Sequence, residues 1–374
     1  MNFHKFTRLW INYLILLMML FTSVSCHSAP TSAGLEPASS PQPSVEQTAQ
    51  SQPTAEPKAN CTELKVHDDG SDLIPRPIFT PSLAYDSVRQ KTILYDTRSS
   101  CTWEHDGENW ELIETRFSPP SNRGSQIVYD SLRKVTLLIN DYPRAGEVWK
   151  YDGSNWRALS VEGSFHSISS GWLTATYIPQ KQAVYVLGTC RKHCSDEGHY
   201  SGWQFDGHAW TEERIIPFGA RPGEPTFMTP EIVYFEDKET IVLQTGFGGK
   251  SVGSWALDYD GVEWQIVKDD SSESGLNDLL AFFDMVYDSN RNVIILFGIF
   301  EHNELLRAET WEYDGSEWKE MLPLESPSVR YGHAMVYDQA RDVVLLFGGS
   351  SVDNDNPTTF YETWEYDGIT WVQR

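Results

Sequence analysis

One eight-residue unit constrains this chain more than any other feature, because it recurs along most of the sequence. Near the end of the chain it reads Trp-Glu-Tyr-Asp-Gly-Ile-Thr-Trp (364–371), and nearly the same string stands at 311–318 and at 149–156. Its Asp-Gly pair marks six copies, at Gly107, Gly153, Gly207, Gly261, Gly315 and Gly368. Successive glycines are 46, 54, 54, 54 and 53 residues apart. A period of this length indicates one repeat array rather than several unrelated domains.

Each copy predicts four short β-strands in meander order. The last copy is the clearest, with a first strand at 330–337, a second at 343–347, a third at 363–366 and a fourth beginning at Trp371. Asp-Gly and Asp-x-x-Arg sequences between β-branched and aromatic runs are typical of hairpin turns. Four antiparallel strands per repeat make one propeller blade. The sequence therefore predicts an all-β, six-bladed β-propeller of four-stranded antiparallel blades over residues 76–374.

The composition supports this fold and argues against one class of partner. The chain has 14 Trp, 17 Tyr and 17 Phe, enough aromatic material for a large core, and its 26 Gly and 20 Pro suit a protein rich in turns. Asp and Glu number 53 against 29 Lys and Arg, which gives a net charge of -24. Such a field repels phosphate backbones, so we expect no nucleic-acid partner.

The N-terminus predicts export. Residues 1–25 carry Lys5 and Arg8, then an apolar run and small residues, the layout of a signal peptide. The end of this segment, Ser-Val-Ser-Cys at 23–26, resembles the lipobox of bacterial lipoproteins, in which the cysteine is lipidated. The resemblance implies lipidation at Cys26 and a cell-envelope location. Ser23 departs from that pattern, which usually has Leu there, so cleavage with free secretion stays open as the alternative.

The segments between this cysteine and the repeats predict a spacer. Residues 26–60 are rich in Ser, Pro and Thr and contain no aromatic residue. A composition of this kind cannot form a core, and we expect a disordered tether. Residues 61–75 are interpreted as a lead-in to the propeller. We expect contact with the membrane only through the lipid anchor.

The cysteines fit an oxidising compartment. With Cys26 set aside, four remain, and the economical pairing joins Cys61 with Cys101 and Cys190 with Cys194. The first bond would join the C-terminal end of the tether to the globular domain. The second would close a small loop.

The order of motifs resembles a known repeat. An Arg/Gly/His group (Arg330, Gly332, His333) precedes the first strand, an apolar strand ends in Gly-Gly (348–349), and a Trp/Tyr strand and a second Trp follow. This order resembles the Kelch repeat, especially the bacterial form also found in the central domain of galactose-oxidase-like proteins. The resemblance covers all six copies and implies a closed ring of six four-stranded blades.

Closure of that ring needs no strand exchange, because the first copy starts with its first strand and the last copy ends with its fourth. Residues 61–66 are a candidate extra strand at the seam.

The repeated Trp, Tyr and Asp residues are interpreted as structural. An aromatic residue that recurs at one position of most blades fills the space between blades. The Asp of each Asp-Gly pair is a turn residue that bonds its own backbone. A carbohydrate-binding platform made of these aromatics is the less favoured alternative.

Function is expected at the other end of the blades. In a four-stranded meander the turns between strands one and two and between strands three and four lie at one end, and here they are short and uniform. The remaining connections lie at the opposite end and vary, as binding loops on a rigid scaffold do. They are residues 141–147, 189–201, 247–254, 299–308 and 350–361, with the inter-blade segments 211–227 and 268–280. We expect this loop face and the mouth of the central channel to bind the partner.

Two of these loops carry possible metal ligands. Cys190, Cys194 and His199 offer soft ligands for zinc, but their spacing matches no common site and an oxidising compartment favours a disulfide. Residues 353–356, Asp-Asn-Asp-Asn, offer oxygen ligands for calcium without the full alternating series. We therefore expect no metal and no cofactor.

Enzyme activity is the second hypothesis. A sugar-modifying enzyme, such as a sialate mutarotase-like isomerase or a glycoside hydrolase, could use Arg330 and His333 as channel residues, although the Kelch pattern itself has Arg and His there. No catalytic constellation stands out, since His is sparse and the Asp-Gly turns lack the spacing of sialidase turns. The favoured function is a binding propeller, expected to be monomeric, that recognises an extracytoplasmic protein or carbohydrate.

Overall fold

The structure is a computed structural model. It describes residues 61, 75, 81–97, 99–120, 124–141, 145–165, 173–189, 200–214, 229–246, 253–259, 264–269, 276, 279–353 and 358–374. The chain divides into two units, Met1–Thr54 and Ala55–Arg374, and the second contains all of these residues. Within them, no helix is long and apolar enough to span a membrane.

The described residues form six four-stranded sheets, numbered here as blades 1 to 6. Blade 1 contains β1 (Ser82–Asp86), β2 (Lys91–Asp96), β3 (Cys101–His105) and β4 (Trp110–Ile113), and blade 2 contains β5 (Gln126–Asp130), β6 (Val135–Ile139), β7 (Val148–Tyr151) and β8 (Trp156–Ala158). Blade 3 contains β9 (Leu173–Ile178), β10 (Ala183–Thr189), β11 (Tyr200–Phe205) and β12 (Trp210–Arg214), and blade 4 contains β13 (Thr229–Phe235), β14 (Thr240–Gly246), β15 (Gly253–Tyr259) and β16 (Trp264–Asp269). Blade 5 contains β17 (Leu279–Asp288), β18 (Val293–His302), β19 (Leu305–Tyr313) and β20 (Trp318–Met321). Blade 6 contains β22 (Ala334–Asp338), β23 (Val343–Phe347), β25 (Thr363–Tyr366) and β26 (Trp371–Gln373), while β21 (Arg330–Tyr331) and β24 (Ser350–Ser351) pair separately beside it.

Every blade is an antiparallel meander whose strands pair in sequence order. The first strands of neighbouring blades contact one another in the order β1, β5, β9, β13, β17, β22 and back to β1. The first strand is therefore innermost in each blade, and the blades surround a central channel. The predicted all-β propeller of four-stranded antiparallel blades is confirmed.

The turns between first and second strands explain the Asp-x-x-Arg motif. In blade 1, Asp86 Oδ1 accepts the backbone N–H groups of Val88 (3.1 Å) and Arg89 (3.0 Å), and Gln90 then takes a positive φ of 55°. An Asp that bonds the backbone two and three residues on sets the turn locally. Blades 5 and 6 repeat this pattern at Asp288 and Asp338, and in blade 2 Asp130 accepts the backbone N–H of Arg133, three residues on.

The Arg of this motif joins neighbouring blades. Arg89 pairs with Asp86 (2.8 Å) and with Glu104 of β3 (2.6 Å), and its guanidinium lies over the ring of Tyr151 in blade 2, 5.4 Å from the centroid. A Cβ at Gly153 would lie 2.9 Å from the Arg89 side chain, so glycine in the Asp-Gly turn leaves room for the arginine. We call this arrangement the arginine clamp.

The hydrophobic core lies between blades. One cluster joins blades 1 and 2, for example, with Ile93 and Tyr95 against Leu138 and Trp149. The second Trp of the repeat also bonds across the gap, as Trp156 Nε1 donates to Thr102 Oγ1 of the preceding blade at 2.7 Å. The interpretation of the repeated aromatics as packing residues agrees with these contacts.

Two predicted boundaries were wrong. Residues 299–308 were expected to be a variable loop, but they extend the β18–β19 ladder to the pair His302 and Leu305, with a two-residue turn at Asn303 and Glu304. The turn works because both residues take positive φ, 51° and 68°, which matches the twist of a hairpin. The strand expected at 330–337 is interrupted, since β21 ends at Tyr331 and β22 begins at Ala334.

Candidate functional site

The six innermost strands present one equivalent position at the loop end of the channel. It is the fourth residue before the last residue of each first strand, and its occupants are Ser82, Gln126, Thr174, Glu231, Asp284 and Ala334. Each first strand runs from the loop face to the turn face, so these residues all lie toward the loop face. We call them the channel-end positions. Five of the six are polar, and two are acidic.

Side chains at these positions link one blade to the next. Ser82 Oγ donates to Gln126 Oε1 (3.1 Å) and accepts the backbone N–H of Ile127 (2.8 Å). Thr174 Oγ1 donates in the same way to Glu231 Oε2 at 2.9 Å. These are bonds between adjacent innermost strands that belong to different sheets. The channel-end positions therefore stabilise the seams between blades.

Asp284 makes the corresponding link from blade 5 to blade 6. Its Oδ2 accepts the backbone N–H of Met335 in β22 at 2.7 Å, and its Oδ1 accepts that of Met285 at 2.7 Å. Both carboxylate oxygens are thus held by backbone donors. This places the carboxyl group firmly at the channel end.

Glu231 and Asp284 form an acidic pair on neighbouring blades. Burial raises the pKa of Asp284 from 3.8 to about 7, against the opposing effect of its backbone donors. Burial, and then the negative charge of Asp284, raises the pKa of Glu231 well above its usual range. A carboxyl group that is buried, or that lies near another negative charge, ionises at a higher pH than an exposed carboxyl group does. The pair can therefore hold a proton near neutral pH.

A second polar arrangement lies on the β18–β19 hairpin. His302 Nε2 is 2.6 Å from Glu309 Oε1, and Trp311 Nε1 donates to Glu309 Oε2 at 3.0 Å. The rings of Phe300 and His302 are stacked, with centroids 6.3 Å apart. The Glu309 side chain is buried while a third of the His302 side chain is exposed. A buried carboxylate thus orients an accessible imidazole at the loop face.

The structure places Arg330 in the interior rather than in the channel. Its Nη1 donates to the Gly348 carbonyl (3.0 Å), its Nη2 to Glu362 (2.8 Å) and its Nε to the Ser328 carbonyl (3.1 Å). The guanidinium also lies over the ring of Phe360. These contacts make Arg330 an organiser of the loop around blade 6.

His333 packs in the seam between blades 5 and 6. Its ring lies edge to face with Phe297, with centroids 5.2 Å apart. Burial, and then the positive charge of Arg330, lowers the pKa of His333 to about 3, so the ring is neutral at physiological pH. The two residues that the sequence singled out are neighbours here, but they belong to the packing of blade 6.

The remaining site predictions have different outcomes. The Cys61–Cys101 disulfide is present, with the two Cα atoms 5.9 Å apart. Cys26, Cys190, Cys194, His199 and residues 354–356 lie outside the described residues, as do most of the variable loops. No group of three or more His, Cys, Asp or Glu side chains suited to a metal ion occurs in the part of the chain that the structure describes.

Sequence reasoning missed Glu231 and Asp284. A signal was nevertheless available, because alignment of the six first strands on their last residues puts Ser, Gln, Thr, Glu, Asp and Ala in one column. Two acids in a column that is otherwise neutral stand out from a repeated packing pattern. His302 was missed because it fell in the segment 299–308, which was interpreted as loop, and its partner Glu309 follows directly after that segment.

Comparison with known proteins does not assign a family. No protein-family model matches the chain, and no curated protein sequence matches it. Among solved structures, it is similar to the fucose-recognising lectin of Aleuria aurantia, a six-bladed β-propeller (13% identity, 70% of this chain and 82% of that chain, TM-score 0.47). It is also similar to a gluconolactonase from Xanthomonas campestris (12%, 74% and 85%, TM-score 0.49) and to hydrazine synthase of Kuenenia stuttgartiensis (10%, 80% and 80%, TM-score 0.49). Identities this low, with TM-scores below 0.5, assign no ligand and no activity to this chain.

Proposed function

We propose that this chain is an extracytoplasmic Kelch-like propeller, a closed ring of six blades, that binds a protein or glycan at its loop face, centred on the channel-end positions. The observation that carries the proposal is the acidic pair. Glu231 and Asp284 occupy positions that other blades fill with neutral residues, so blade packing alone does not call for their charge.

The residues that repeat from blade to blade are used in turns and seams, and this favours the channel-end positions as the binding site. Asp152 of an Asp-Gly turn accepts the backbone N–H groups of Ser154 (3.1 Å) and Asn155 (2.9 Å), and Arg89 is held in the arginine clamp. These groups are committed to turns and seams in the same way in several blades. Uniform turns present few distinguishing groups to a partner, whereas the channel-end residues differ from blade to blade.

A location outside the cytoplasm has two supports. One is the disulfide between Cys61 and Cys101, since such bonds persist mainly in oxidising compartments. The other is the signal-like segment 1–25 followed by Cys26, which favours a lipid anchor in the cell envelope, with free secretion as the alternative. Metabolic labelling with a radioactive fatty acid tests the anchor, and loss of label in Cys26→Ser is the expected result.

Binding is tested with a glycan array and with envelope extracts, followed by titration calorimetry of any ligand found. The double variant Glu231→Gln/Asp284→Asn keeps the shape of both side chains and removes their charge. We expect it to weaken binding at least about tenfold, as buried polar contacts at the centre of an interface do. Leu132→Ala, a change of an exposed residue on the turn face, is the control and should bind normally. Equal affinity for both variants would contradict the assigned site.

A sugar-modifying enzyme is the second candidate, and the raised pKa values of Glu231 and Asp284 favour it. A general acid works best when its pKa lies near the working pH, and Asp284, whose pKa burial raises to about 7, meets that requirement. The isomerase and hydrolase alternatives both need such a group.

Incubation with labelled sialic acids and galactosides distinguishes the candidates. Turnover that Glu231→Gln abolishes, while the folded protein still binds its ligand, would establish the enzyme. Turnover lost instead in Arg330→Gln or His333→Gln, with folding retained, would place catalysis at blade 6 and contradict the channel-end site.

A further inference from the structure

The first and last blades meet at a seam, and among the described residues no strand is shared between the two blades there. All strands of blade 1 come from one stretch, 82–113, and those of blade 6 come from another, 334–373. Their innermost strands β1 and β22 contact each other but belong to different sheets. Because these blades come from opposite ends of the repeat array, no short connection holds them together. The seam between blades 6 and 1 must be closed by other contacts.

Several contacts join the seam away from the loop face. Arg341 Nη1 of blade 6 donates to the Gly107 carbonyl in the Asp-Gly turn of blade 1 at 3.2 Å. The Tyr85 hydroxyl accepts the backbone N–H of Ala340 at 3.2 Å. Both contacts lie at the turn face, where the arginine clamp joins other blades as well.

At the channel end, this seam lacks a link that three other seams have. At the corresponding point Ser82, Thr174 and Asp284 accept a backbone N–H from the next blade. The residue at this position in blade 6 is Ala334, whose methyl group has no atom that can accept or donate a hydrogen bond. The polar link found at those three seams is thus chemically unavailable here.

The disulfide lies at this seam. Cys101 is buried at the loop end of β3, in a cluster that combines Leu94 of blade 1 with Leu345 and Phe347 of blade 6. Cys61 packs against the same cluster and is only half-buried. The bond therefore lies at a cluster to which both terminal blades contribute side chains. A thiol reagent can approach the bond only from the side of Cys61, because Cys101 is buried.

We infer that the Cys61–Cys101 disulfide is a redox-sensitive closure of the ring, which holds the seam between the last and first blades at the loop face. A dithiol reductant attacks one sulfur, forms a mixed disulfide, and is released in its own oxidised form. Two electrons and two protons pass to the chain, which gains two thiols. Cys61 is then free to leave the seam, and the terminal blades separate more readily than the other blades do.

Hydrogen exchange of the full chain tests this inference. In Cys61→Ser/Cys101→Ser, amides of β1, β2, β22 and β23 should exchange at least tenfold faster than in the oxidised wild type. Amides of β17 and β18 in blade 5 should be unchanged. Acceleration confined to the immediate neighbours of residues 61 and 101, or equal acceleration in every blade, would overturn the inference.

A second experiment does not depend on whether Cys61→Ser/Cys101→Ser folds. A Cys190→Ser/Cys194→Ser protein, in which Cys61–Cys101 is the disulfide open to reduction, is folded oxidised and then treated with dithiothreitol. Faster exchange in the terminal blades should appear on reduction and disappear on reoxidation with oxidised glutathione. The same protein before reduction is the control and should match wild type in blades 1 and 6. Unchanged exchange after complete reduction would refute the closure.

Discussion

At the scale of residues, the repeat depends on the packing of the clamp arginine of one blade against the Asp-Gly glycine of the next blade. Arg291 of blade 5 pairs with Asp288 and Glu312 and lies over the ring of Tyr366 in blade 6. The neighbouring Gly368 has a φ of 90°, and a Cβ there would lie 2.6 Å from Arg291 Nη1. Gly368 is therefore required for two reasons: the turn needs its positive φ, and the seam needs the space that a Cβ would occupy.

Gly368→Ala should lower the free energy of unfolding by about 2–3 kcal/mol, because positive φ strain and a clash with Arg291 add together. Gly348→Ala is the matched control. It has a similar positive φ of 74°, but its Cβ would meet its nearest neighbour at an ordinary 3.5 Å. Urea denaturation of both variants measures the difference. Equal losses would show that the arginine contact contributes nothing.

The acidic pair predicts a dependence of stability on pH. Glu231 has a folded-state pKa above its usual 4.5, so the folded protein binds this proton more tightly than the unfolded chain does. The contribution of Glu231 to stability is therefore fully present below about pH 4.5 and is lost as the pH rises from there through its raised folded-state pKa. Glu231→Gln removes this cost and should raise the free energy of unfolding by about 1–2 kcal/mol at pH 8.

The increase in the free energy of unfolding caused by Glu231→Gln should shrink toward zero at pH 4.5, where wild-type Glu231 is also uncharged. Denaturation at pH 4.5, 6 and 8 measures it, with Glu320→Gln on the exposed part of β20 as the control. A constant difference across this range would show that the charge of Glu231 is not responsible.

At the scale of elements, blade 5 stands apart because of its long central hairpin. β18 and β19 continue past the length of their counterparts to a two-residue turn at Asn303 and Glu304. Phe300 is fully buried and stacks on Trp311, so the extension is packed at its base. The hairpin carries His302 and Glu309 to the loop face as a defined structure instead of a loose loop.

Glu304→Gly should stabilise this hairpin. Glu304 has a φ of 68°, which a residue with a Cβ adopts at a cost and glycine does not, and Asn-Gly is the preferred sequence for such turns. We expect a gain of about 0.5–1 kcal/mol. Glu301→Gly, in the regular part of β18, should instead destabilise the protein. Thermal unfolding of both variants checks the opposite signs.

At the scale of the whole molecule, stability comes from seams, since each core cluster is shared by two blades. The cluster between blades 5 and 6 includes Ile295 and Phe297 with Leu346 and Trp371, and the cluster of the closing seam includes Phe347 with Leu94. A blade without its neighbours exposes apolar surface on both faces. We therefore expect the ring to fold cooperatively as one unit.

Deletion of blade 6 tests this expectation. A chain ending at residue 325 would expose one face of blade 5 and one face of blade 1. It should lose cooperative unfolding in calorimetry and bind a hydrophobic dye, whereas the full chain should show a single transition. A sharp transition in the shortened chain would contradict the shared-seam account.

Much of this architecture was predictable because its signals are local. Asp-Gly and Asp-x-x-Arg turns set their own backbone, and the regular spacing of Trp371 and its counterparts reveals one blade per copy. The pairing of Cys61 with Cys101 followed from parity and compartment. The loop assignment at 299–308 failed because a hairpin extension of Ile, Phe, Leu and Ala residues interrupted by charged ones has no clear strand period.

The sequence by itself determined the repeat, the all-β fold and the residues that pack between blades, since these depend on contacts within or between adjacent copies. Only the tertiary structure decided that Arg330 and His333 belong to the packing of blade 6, and that Glu231 and Asp284 meet at the channel end. The physical reason is distance along the chain. Burial and the electrostatic effect of one carboxyl group on another arise from atoms about fifty residues apart, which become neighbours only when the blades stack into a ring.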